Sequence, residues 1–280
     1  MRIPKYWARA EGETPPDYEG PRLVTAWGWS DESRVAAERH ARQRLTDLLD
    51  RIHRGEELPR GYAYGERPAR EEILEEVREK GGAPTAVLTR NSYGSVVLNA
   101  AHVLFVDVDL WPSTALQSLM RLFRPRLPTS EQLTLNRIRE TLLNDSGGSY
   151  RIYRTAAGFR VVATHPVFTA GSPEAERLMT ALLADRSFIQ LCRIQESFRA
   201  RLSPKPWRCG VAKPPARFPR NAEEQVAFEG WLGKYERAIA GVATCRFLEA
   251  VGPGWTHPDA RAIVELHDQR TKAGSTLPLA

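Results

Sequence analysis

The sequence contains little cysteine and no long apolar run, and both absences restrict the classes of protein it fits. Only Cys192, Cys209 and Cys245 occur among its 280 residues, and no two of them form a C-x-x-C pair. This excludes a disulfide framework and the common all-cysteine zinc sites, and it fits a reducing compartment. No apolar run approaches the roughly 18–20 residues of a membrane span, and the first residues lack the apolar stretch of a signal peptide. We therefore expect a cytoplasmic protein with no membrane partner.

Signatures of several large enzyme classes are also missing. The sequence has no G-x-x-x-x-G-K-[ST] phosphate loop, no G-x-G-x-x-G after a strand and no G-x-S-x-G elbow. Classical NTPase, Rossmann dehydrogenase and serine hydrolase activities therefore lack support. The composition, 42% hydrophobic and 26% charged, is that of a globular protein and excludes wholesale disorder.

Positive charge is concentrated in one segment, residues 193–220. The whole chain carries a formal net charge of +6. Eight bases of this segment face a single acid, Glu196; they are Arg193, Arg199, Arg201, Lys205, Arg208, Lys213, Arg217 and Arg220. Such a concentration is the electrostatic footprint of a phosphate-bearing partner. Phe198, Trp207 and Phe218 lie between the bases and offer faces for stacking nucleobases. The alternatives are a solvated basic loop, or aromatic anchors that fix a Pro-rich loop to the body.

Hydrophobic periodicity and turn signals predict interspersed strands and helices. Predicted strands and hairpins lie at 22–29, at 85–100 with a turn at 91–94, at 102–110, and at 149–165 with a turn at 156–158. Predicted helices lie at 31–54 with Ser30 as N-cap, and at 68–80, 129–144, 172–185, 222–240 and 259–271. Residues 111–130 are predicted to be a loop. This order predicts an α+β fold with a mainly antiparallel sheet, hairpins and flanking helices.

Three segments are expected along the chain. Residues 1–82 form an N-terminal α/β segment, which belongs either to a separate domain or to the same one as the following core at 83–210. Residues 211–280 hold a Pro-rich arm and the C-terminal helices. Five prolines fall within 204–219, which makes this stretch the best candidate for a boundary or an extended arm.

A pair of carboxylates at the end of a hydrophobic strand is the sharpest motif. In VLFVDVDLW, side chains alternate between the two faces of the strand, so Asp107 and Asp109 share one face. Two neighbouring carboxylates repel each other unless a cation lies between them. Mg²⁺ or Mn²⁺, which prefer hard oxygen ligands, is one such cation. The alternatives are that both aspartates face solvent, or that they pair with arginines.

Three pieces in order resemble the archaeo-eukaryotic primase and primase-polymerase superfamily. They are the Asp107-x-Asp109 strand, the turn Thr155-Ala-Ala-Gly-Phe-Arg160, and the stretch from Glu196 to Pro204. The resemblance covers roughly residues 85–210. Where the family has a histidine after its small-residue turn, this sequence has Arg160. Glu196 stands where the family more usually has an aspartate.

The resemblance implies an RRM-like sheet that bears the site, with helices behind it. It implies metal-dependent nucleotidyl transfer, with Asp107, Asp109 and Glu196 as catalytic residues and the two aspartates as Mg²⁺ or Mn²⁺ ligands. Nucleoside triphosphate would be held by Thr155, Arg160, Arg199 and Arg201. A template strand would follow the basic segment, contacting Lys205, Trp207, Arg208, Lys213 and Arg217.

Two further functions stay open at this point. In one, the same basic segment binds single-stranded RNA or DNA without catalysis, and the aspartates form ion pairs that fix the arginines. In the other, the basic arm contacts an acidic protein partner. Convergence of Asp107, Asp109, Glu196 and Arg160 in one cleft would favour the enzyme.

Overall fold

The fold is taken from a computed structural model that describes residues 1–14, 22–56, 67–78, 82–110 and 128–280. The strands are β1 Tyr6–Glu13, β2 Leu23–Ser30, β3 Glu72–Arg78, β4 Pro84–Arg90, β5 Val96–Ala100, β6 Phe105–Asp109, β7 Ser149–Thr155, β8 Gly158–His165, β9 Phe198–Arg201 and β10 Cys245–Val251. The helices are α1 Arg34–His53, α2 Ser130–Leu143, α3 Pro173–Ala181, α4 Arg186–Gln195, α5 Ala222–Ile239 and α6 Pro258–Thr271. A short 3₁₀ helix spans Pro206–Cys209.

The named strands form one hairpin and two four-stranded sheets, and every pair of them is antiparallel. The hairpin is β1–β2. Sheet I has the order β10-β7-β8-β6, and sheet II has the order β3-β4-β5-β9. The predicted α+β class with antiparallel sheets is therefore confirmed.

One hydrophobic core joins the two sheets. Leu88 and Leu98 of sheet II belong to the same buried cluster as Val106 and Val161 of sheet I. Each sheet combines strands from two of the expected segments: β3 of residues 1–82 pairs with β4 in sheet II, and β10 of residues 211–280 pairs with β7 in sheet I. Strand β6 lies at one end of sheet I and β9 at one end of sheet II, and these two strands contact each other.

Helices cover both faces of sheet I. On one face, α2 is held by an ion pair between Arg139 and Glu249 of β10, with Nε 2.7 Å from Oε1. On the other face, α6 inserts the buried His267 against Tyr153, with 4.9 Å between ring centroids. The face that carries Asp107 is the one covered by α6.

Most of the predicted elements are present. The hairpin at 85–100 closes with Gly94 N–H donating to the Asn91 carbonyl at 2.8 Å, and the hairpin at 149–165 is β7–β8. Helices α2, α5 and α6 match their predicted spans closely, and α3 is shorter than predicted. The loop predicted at 111–130 lies almost wholly outside the described residues.

The helix predicted at 68–80 is wrong, because its described part contains strand β3. This strand lies at the end of sheet II and pairs with β4. Its glutamates lie beside cations from distant segments: Glu72 contacts Arg220 at 2.6 Å, and Glu75 contacts Arg270 at 2.8 Å. Tertiary pairing at a sheet edge thus overrides the helix propensity of a Glu-rich run.

Smaller differences concern helix ends and elements without a clear sequence signal. Ser33, rather than Ser30, caps α1 by accepting from the Ala36 N–H at 3.1 Å. Ser30 instead accepts from the Glu32 N–H in the preceding turn. Strands β1 and β10 and helix α4 were not predicted.

Candidate nucleic-acid interface

Asp107 forms a two-bond ion pair with Arg160 across the ladder between β6 and β8. The two residues are register partners on the same face of sheet I. Arg160 Nε lies 2.7 Å from Oδ1 of Asp107, and Nη2 lies 3.0 Å from Oδ2. The Arg160 side chain is 1% exposed, whereas that of Asp107 is 45% exposed. The pair therefore places a buried guanidinium behind a half-exposed carboxylate.

The remaining contacts of Arg160 engage its third nitrogen. Nη1 donates to the carbonyl of Arg201 at 2.9 Å and lies 3.2 Å from Nε2 of His267. His267 Nδ1 lies 2.9 Å from a carboxylate oxygen of Asp268, so this nitrogen donates and Nε2 accepts. Burial lowers the pKa of His267 to about 4, and the ring is neutral at physiological pH. Arg160 is thus held inside the protein rather than presented to a nucleotide.

The charge of Arg160 sets the ionisation of Asp107. Burial raises the pKa of this carboxyl group, but the charge and hydrogen bonds of Arg160 outweigh burial, so the pKa lies below its ordinary value. Arg201 acts in the same direction. Asp107 is therefore an anion at neutral pH.

Asp109 has a different environment at the exposed end of β6. It lies opposite Gly158 in the ladder and is exposed. A Cβ at Gly158 would lie 2.1 Å from the carbonyl oxygen of Val108, so only glycine permits this close strand contact. Thr155 fixes the adjoining turn, because its hydroxyl accepts from the Gly158 N–H at 3.1 Å. Asp109 makes no ion pair with any residue that the structure describes.

Arg201, at the end of β9, is a cation with incomplete compensation. Its Nε is buried and has no hydrogen-bond partner among the described residues. Burial lowers the pKa of Arg201; the charge of Asp107 opposes this effect, while Arg160 and Arg208 add to it.

Two exposed aromatic rings meet at the surface, with lysine ammonium groups over both. Tyr93, in the β4–β5 turn, and Trp207 meet edge to face, with 5.3 Å between ring centroids. Trp207 is 45% exposed and Tyr93 is 37% exposed. Lys205 Nζ lies 5.5 Å from the Trp207 ring centroid; Lys213 Nζ lies 5.7 Å from that of Trp207 and 5.9 Å from that of Tyr93. We call these four residues the cationic aromatic surface.

The charges of the cationic aromatic surface interact with those at the end of β6, where Asp107 and Asp109 lie. Burial lowers the pKa of Lys205, and the charges of Arg201 and Arg208 lower it further. Asp109 and Asp107 act on Lys205 in the opposite direction. The region therefore carries an excess of positive charge with one exposed and one half-exposed carboxylate at its border.

Two predicted site residues lie elsewhere. Arg199 is buried, and its Nη2 contacts both carboxylate oxygens of Glu71, at 2.7 and 2.9 Å. Glu196 ends α4 in a left-handed conformation with φ 50°, is 62% exposed, and has the N-terminal amine 4.0 Å away. The structure therefore does not bring either residue together with Asp107 and Asp109.

No metal ligand set is formed by these residues. Both oxygens of Asp107 already accept from Arg160. Across residues 1–14, 22–56, 67–78, 82–110 and 128–280, no group of three or more histidine, cysteine or acidic side chains is arranged to hold a metal ion. A Mg²⁺ or Mn²⁺ ion shared by the two aspartates would have to displace the Arg160 guanidinium from Asp107.

Sequence reasoning missed Tyr93 and His267. Tyr93 lies in a turn whose sequence, NSYG, signals only a hairpin, and its contact with Trp207 is set by the tertiary fold. His267 falls on an otherwise ordinary amphipathic helix. No local signal distinguishes either residue.

Comparison with family models, with curated proteins and with solved structures gives no match to this chain.

In the part of the chain that the structure describes, no helix combines the length and apolarity that a membrane crossing requires.

Proposed function

We propose that the protein binds single-stranded RNA or DNA through the cationic aromatic surface. The observation that carries this proposal is the exposed Tyr93–Trp207 pair with Lys205 and Lys213 within 6 Å of the rings. Every nucleobase has a π-face, so exposed rings bind single strands without sequence preference. Each stacked base contributes about 1–3 kcal/mol, and adjacent lysines neutralise the backbone phosphates.

Arg201 and Arg208 extend the same binding region. The buried Nε of Arg201 lacks a protein partner, and the pKa of both Arg201 and Lys205 is lowered by burial and by neighbouring cations. Both side chains are partly exposed, and a phosphate oxygen at their accessible ends would accept charge-assisted hydrogen bonds and relieve the repulsion. The binding surface thus has both a stacking part and an anion-binding part.

A primase-polymerase-like core with metal-dependent nucleotidyl transfer is the second candidate. It is supported by Asp109, an exposed carboxylate that shares a face with the ionised Asp107 at the end of an antiparallel sheet. An RRM-like arrangement of that sheet belongs to the same proposal. The engaged oxygens of Asp107 and the separate position of Glu196 favour binding without catalysis.

Fluorescence anisotropy with labelled rU and dT oligonucleotides tests the first candidate. Trp207→Ala should weaken binding about 5- to 150-fold, as expected for the loss of one stacked base. Trp255→Ala is the matched control, because Trp255 is 66% exposed beside His165, at the other end of β8 from Gly158. Equal affinities of the two variants, or no binding by the wild type, would overturn the proposal.

Calorimetric titration with Mn²⁺ and a nucleoside triphosphate tests the second candidate. Asp109→Ala is the informative variant, because it leaves the Asp107–Arg160 pair in place. Metal-dependent nucleotide binding that disappears in folded Asp109→Ala would support a metal site. Unchanged binding in this variant, or no metal dependence in the wild type, would rule it out.

A further inference from the structure

Asp109 keeps both carboxylate oxygens open at the end of β6. Its register partner in the ladder is Gly158, which has no side chain to cover the carboxylate. Asp107, two residues earlier, has Arg160 as its register partner, and both of its oxygens accept from that guanidinium. The Asp109 side chain is exposed and forms no hydrogen bond or ion pair with the residues that the structure describes. Asp109 is therefore the carboxylate of this motif that is open to a ligand.

Lys205 links Asp109 to the cationic aromatic surface. Its ammonium group lies 5.5 Å from the centroid of the Trp207 ring. Burial and two neighbouring arginines lower the pKa of Lys205, and the charge of Asp109 opposes them, so this carboxylate lies within electrostatic range of the ammonium group. One lysine thus has both a stacking ring and an open carboxylate in its surroundings.

A carboxylate at the border of a surface that binds nucleic acid has a restricted choice of partners. An ionised carboxylate only accepts hydrogen bonds, and it repels the phosphates of a strand. The donors that a single strand offers are the N–H groups of its bases, whose Watson–Crick edges are accessible to a protein, and its ribose hydroxyls. Two open oxygens on one carboxylate match two parallel donors best, as in its pairing with a guanidinium.

Guanine is the base whose Watson–Crick edge presents two such donors. Its N1–H and N2–H groups are adjacent and parallel, so each donates to one carboxylate oxygen. Adenine and cytosine place one amino donor beside a ring-nitrogen acceptor, and uracil and thymine place one N–H between two carbonyl oxygens. These four edges therefore bring an acceptor towards the carboxylate and are disfavoured.

We infer that Asp109 selects guanine in the single strand that the cationic aromatic surface binds. Guanine donates N1–H and N2–H to the two oxygens of Asp109, a neighbouring base stacks on Trp207, and Lys205 neutralises a phosphate of the same strand. Stacking on exposed rings has no sequence preference, so the carboxylate supplies the discrimination. The inference rests on the proposed function for the binding of a single strand, and it adds the base preference of that site.

Fluorescence anisotropy tests this preference with labelled oligouridylates that carry one central guanosine, inosine or adenosine. The wild type should bind the guanosine strand about tenfold more tightly than the adenosine strand, as expected for a two-bond contact with a base. The inosine strand, which lacks the N2 amino group, should bind with intermediate affinity.

Asp109→Asn is the informative variant, because the amide exchanges one acceptor for a donor. It should bind the guanosine and adenosine strands equally. Its affinity for the adenosine strand should not fall, because the substitution removes a negative charge that repels phosphate. Asp50→Asn is the matched control, at an exposed carboxylate of α1, and should keep the preference of the wild type. Circular dichroism establishes that both variants fold.

Three results would overturn the inference. The first is equal binding of the guanosine and adenosine strands by the folded wild type, and the second is a guanine preference retained in Asp109→Asn. The third is a preference that disappears in EDTA, which would assign it to a bound metal ion. Failure of the proposed function gives a different pattern, in which no strand binds or Trp207→Ala leaves the affinity of every strand unchanged.

Discussion

Asp107 and Arg160 face each other directly across β6 and β8, and the Arg160 guanidinium donates two hydrogen bonds to the carboxylate, of 2.7 and 3.0 Å. The same guanidinium also reaches the Arg201 carbonyl on the other sheet. The ion pair therefore holds the two sheets where β6 meets β9. Asp109, two residues away on the same face, has no such role, so the two carboxylates of one motif differ in function.

The first prediction contrasts these two aspartates. Asp107→Ala leaves a buried guanidinium without its carboxylate and should lower the free energy of unfolding by about 3 kcal/mol. Asp109→Ala removes an exposed side chain and should change it by less than about 0.5 kcal/mol. Urea denaturation followed by circular dichroism measures both. Similar losses in the two variants would contradict the structural role assigned to Asp107.

The second prediction contrasts two arginines of β9. Arg199→Met leaves the buried carboxylate of Glu71 without its cation and should cost about 3–5 kcal/mol of stability. Arg201→Met removes a cation with an unsatisfied Nε and keeps the apolar stem, so stability should change by less than about 1 kcal/mol. Oligonucleotide affinity should nevertheless fall about tenfold in Arg201→Met. A stable Arg201→Met variant that binds as tightly as the wild type would refute the anion-binding role of Arg201.

The third prediction concerns the pH dependence of stability. An unfolded histidine has a pKa of about 6.5, whereas burial lowers that of His267 to about 4 in the folded protein. Between these values the unfolded chain binds more protons, so the free energy of unfolding rises with pH, by about 3 kcal/mol over the window. The pKa values of Asp107 and Asp268 also lie below their ordinary values, and these two groups change the free energy of unfolding only at lower pH.

Urea denaturation between pH 4.5 and 7 checks this prediction. In His267→Gln the rise in stability over this window should be largely abolished. His53→Gln, at an exposed position of α1, should keep the dependence of the wild type. A His267→Gln variant that retains the full dependence would show that other groups cause it.

The fourth prediction concerns salt. Each phosphate neutralised in a single strand contributes about 0.7 to the slope of log affinity against log salt concentration. Lys213→Gln should therefore reduce the slope by about 0.7, whereas Trp207→Ala should lower affinity and leave the slope unchanged. Lys234→Gln, at an exposed lysine of α5, is the control and should alter neither. An unchanged slope in Lys213→Gln would place the phosphates elsewhere.

The sequence predicted those elements whose local signals agree with their environment. The hairpin at Asn91–Gly94 has a turn sequence that matches its geometry, and α2 begins with a capping box at Thr129 and Gln132. By contrast, the Glu-rich sequence of β3 favours a helix when it is considered alone. The cations that neutralise its glutamates in the sheet, such as Arg220 and Arg270, come from far along the chain. Local periodicity carries no information about such partners.

The sequence indicated which residues belong to the candidate site, but not which of them contact each other. The basic segment did indicate Lys205, Trp207 and Lys213, which the fold brings together. The alternation of β6 also placed Asp107 and Asp109 on one face. Register across the ladder, which joins Asp107 to Arg160, depends on long-range strand pairing. The burial of Arg199 beside Glu71 likewise depends on contacts between distant segments.

The charged character of β3 has a consequence for self-association. This strand ends sheet II, and an end strand presents backbone groups with which a strand of another molecule can pair. Four of its seven residues are charged, namely Glu72, Glu75, Glu76 and Arg78. A strand added from a second copy would bury these charged side chains, and removing them from water is costly. The residues that make this segment resemble a helix thus act against edge-to-edge aggregation.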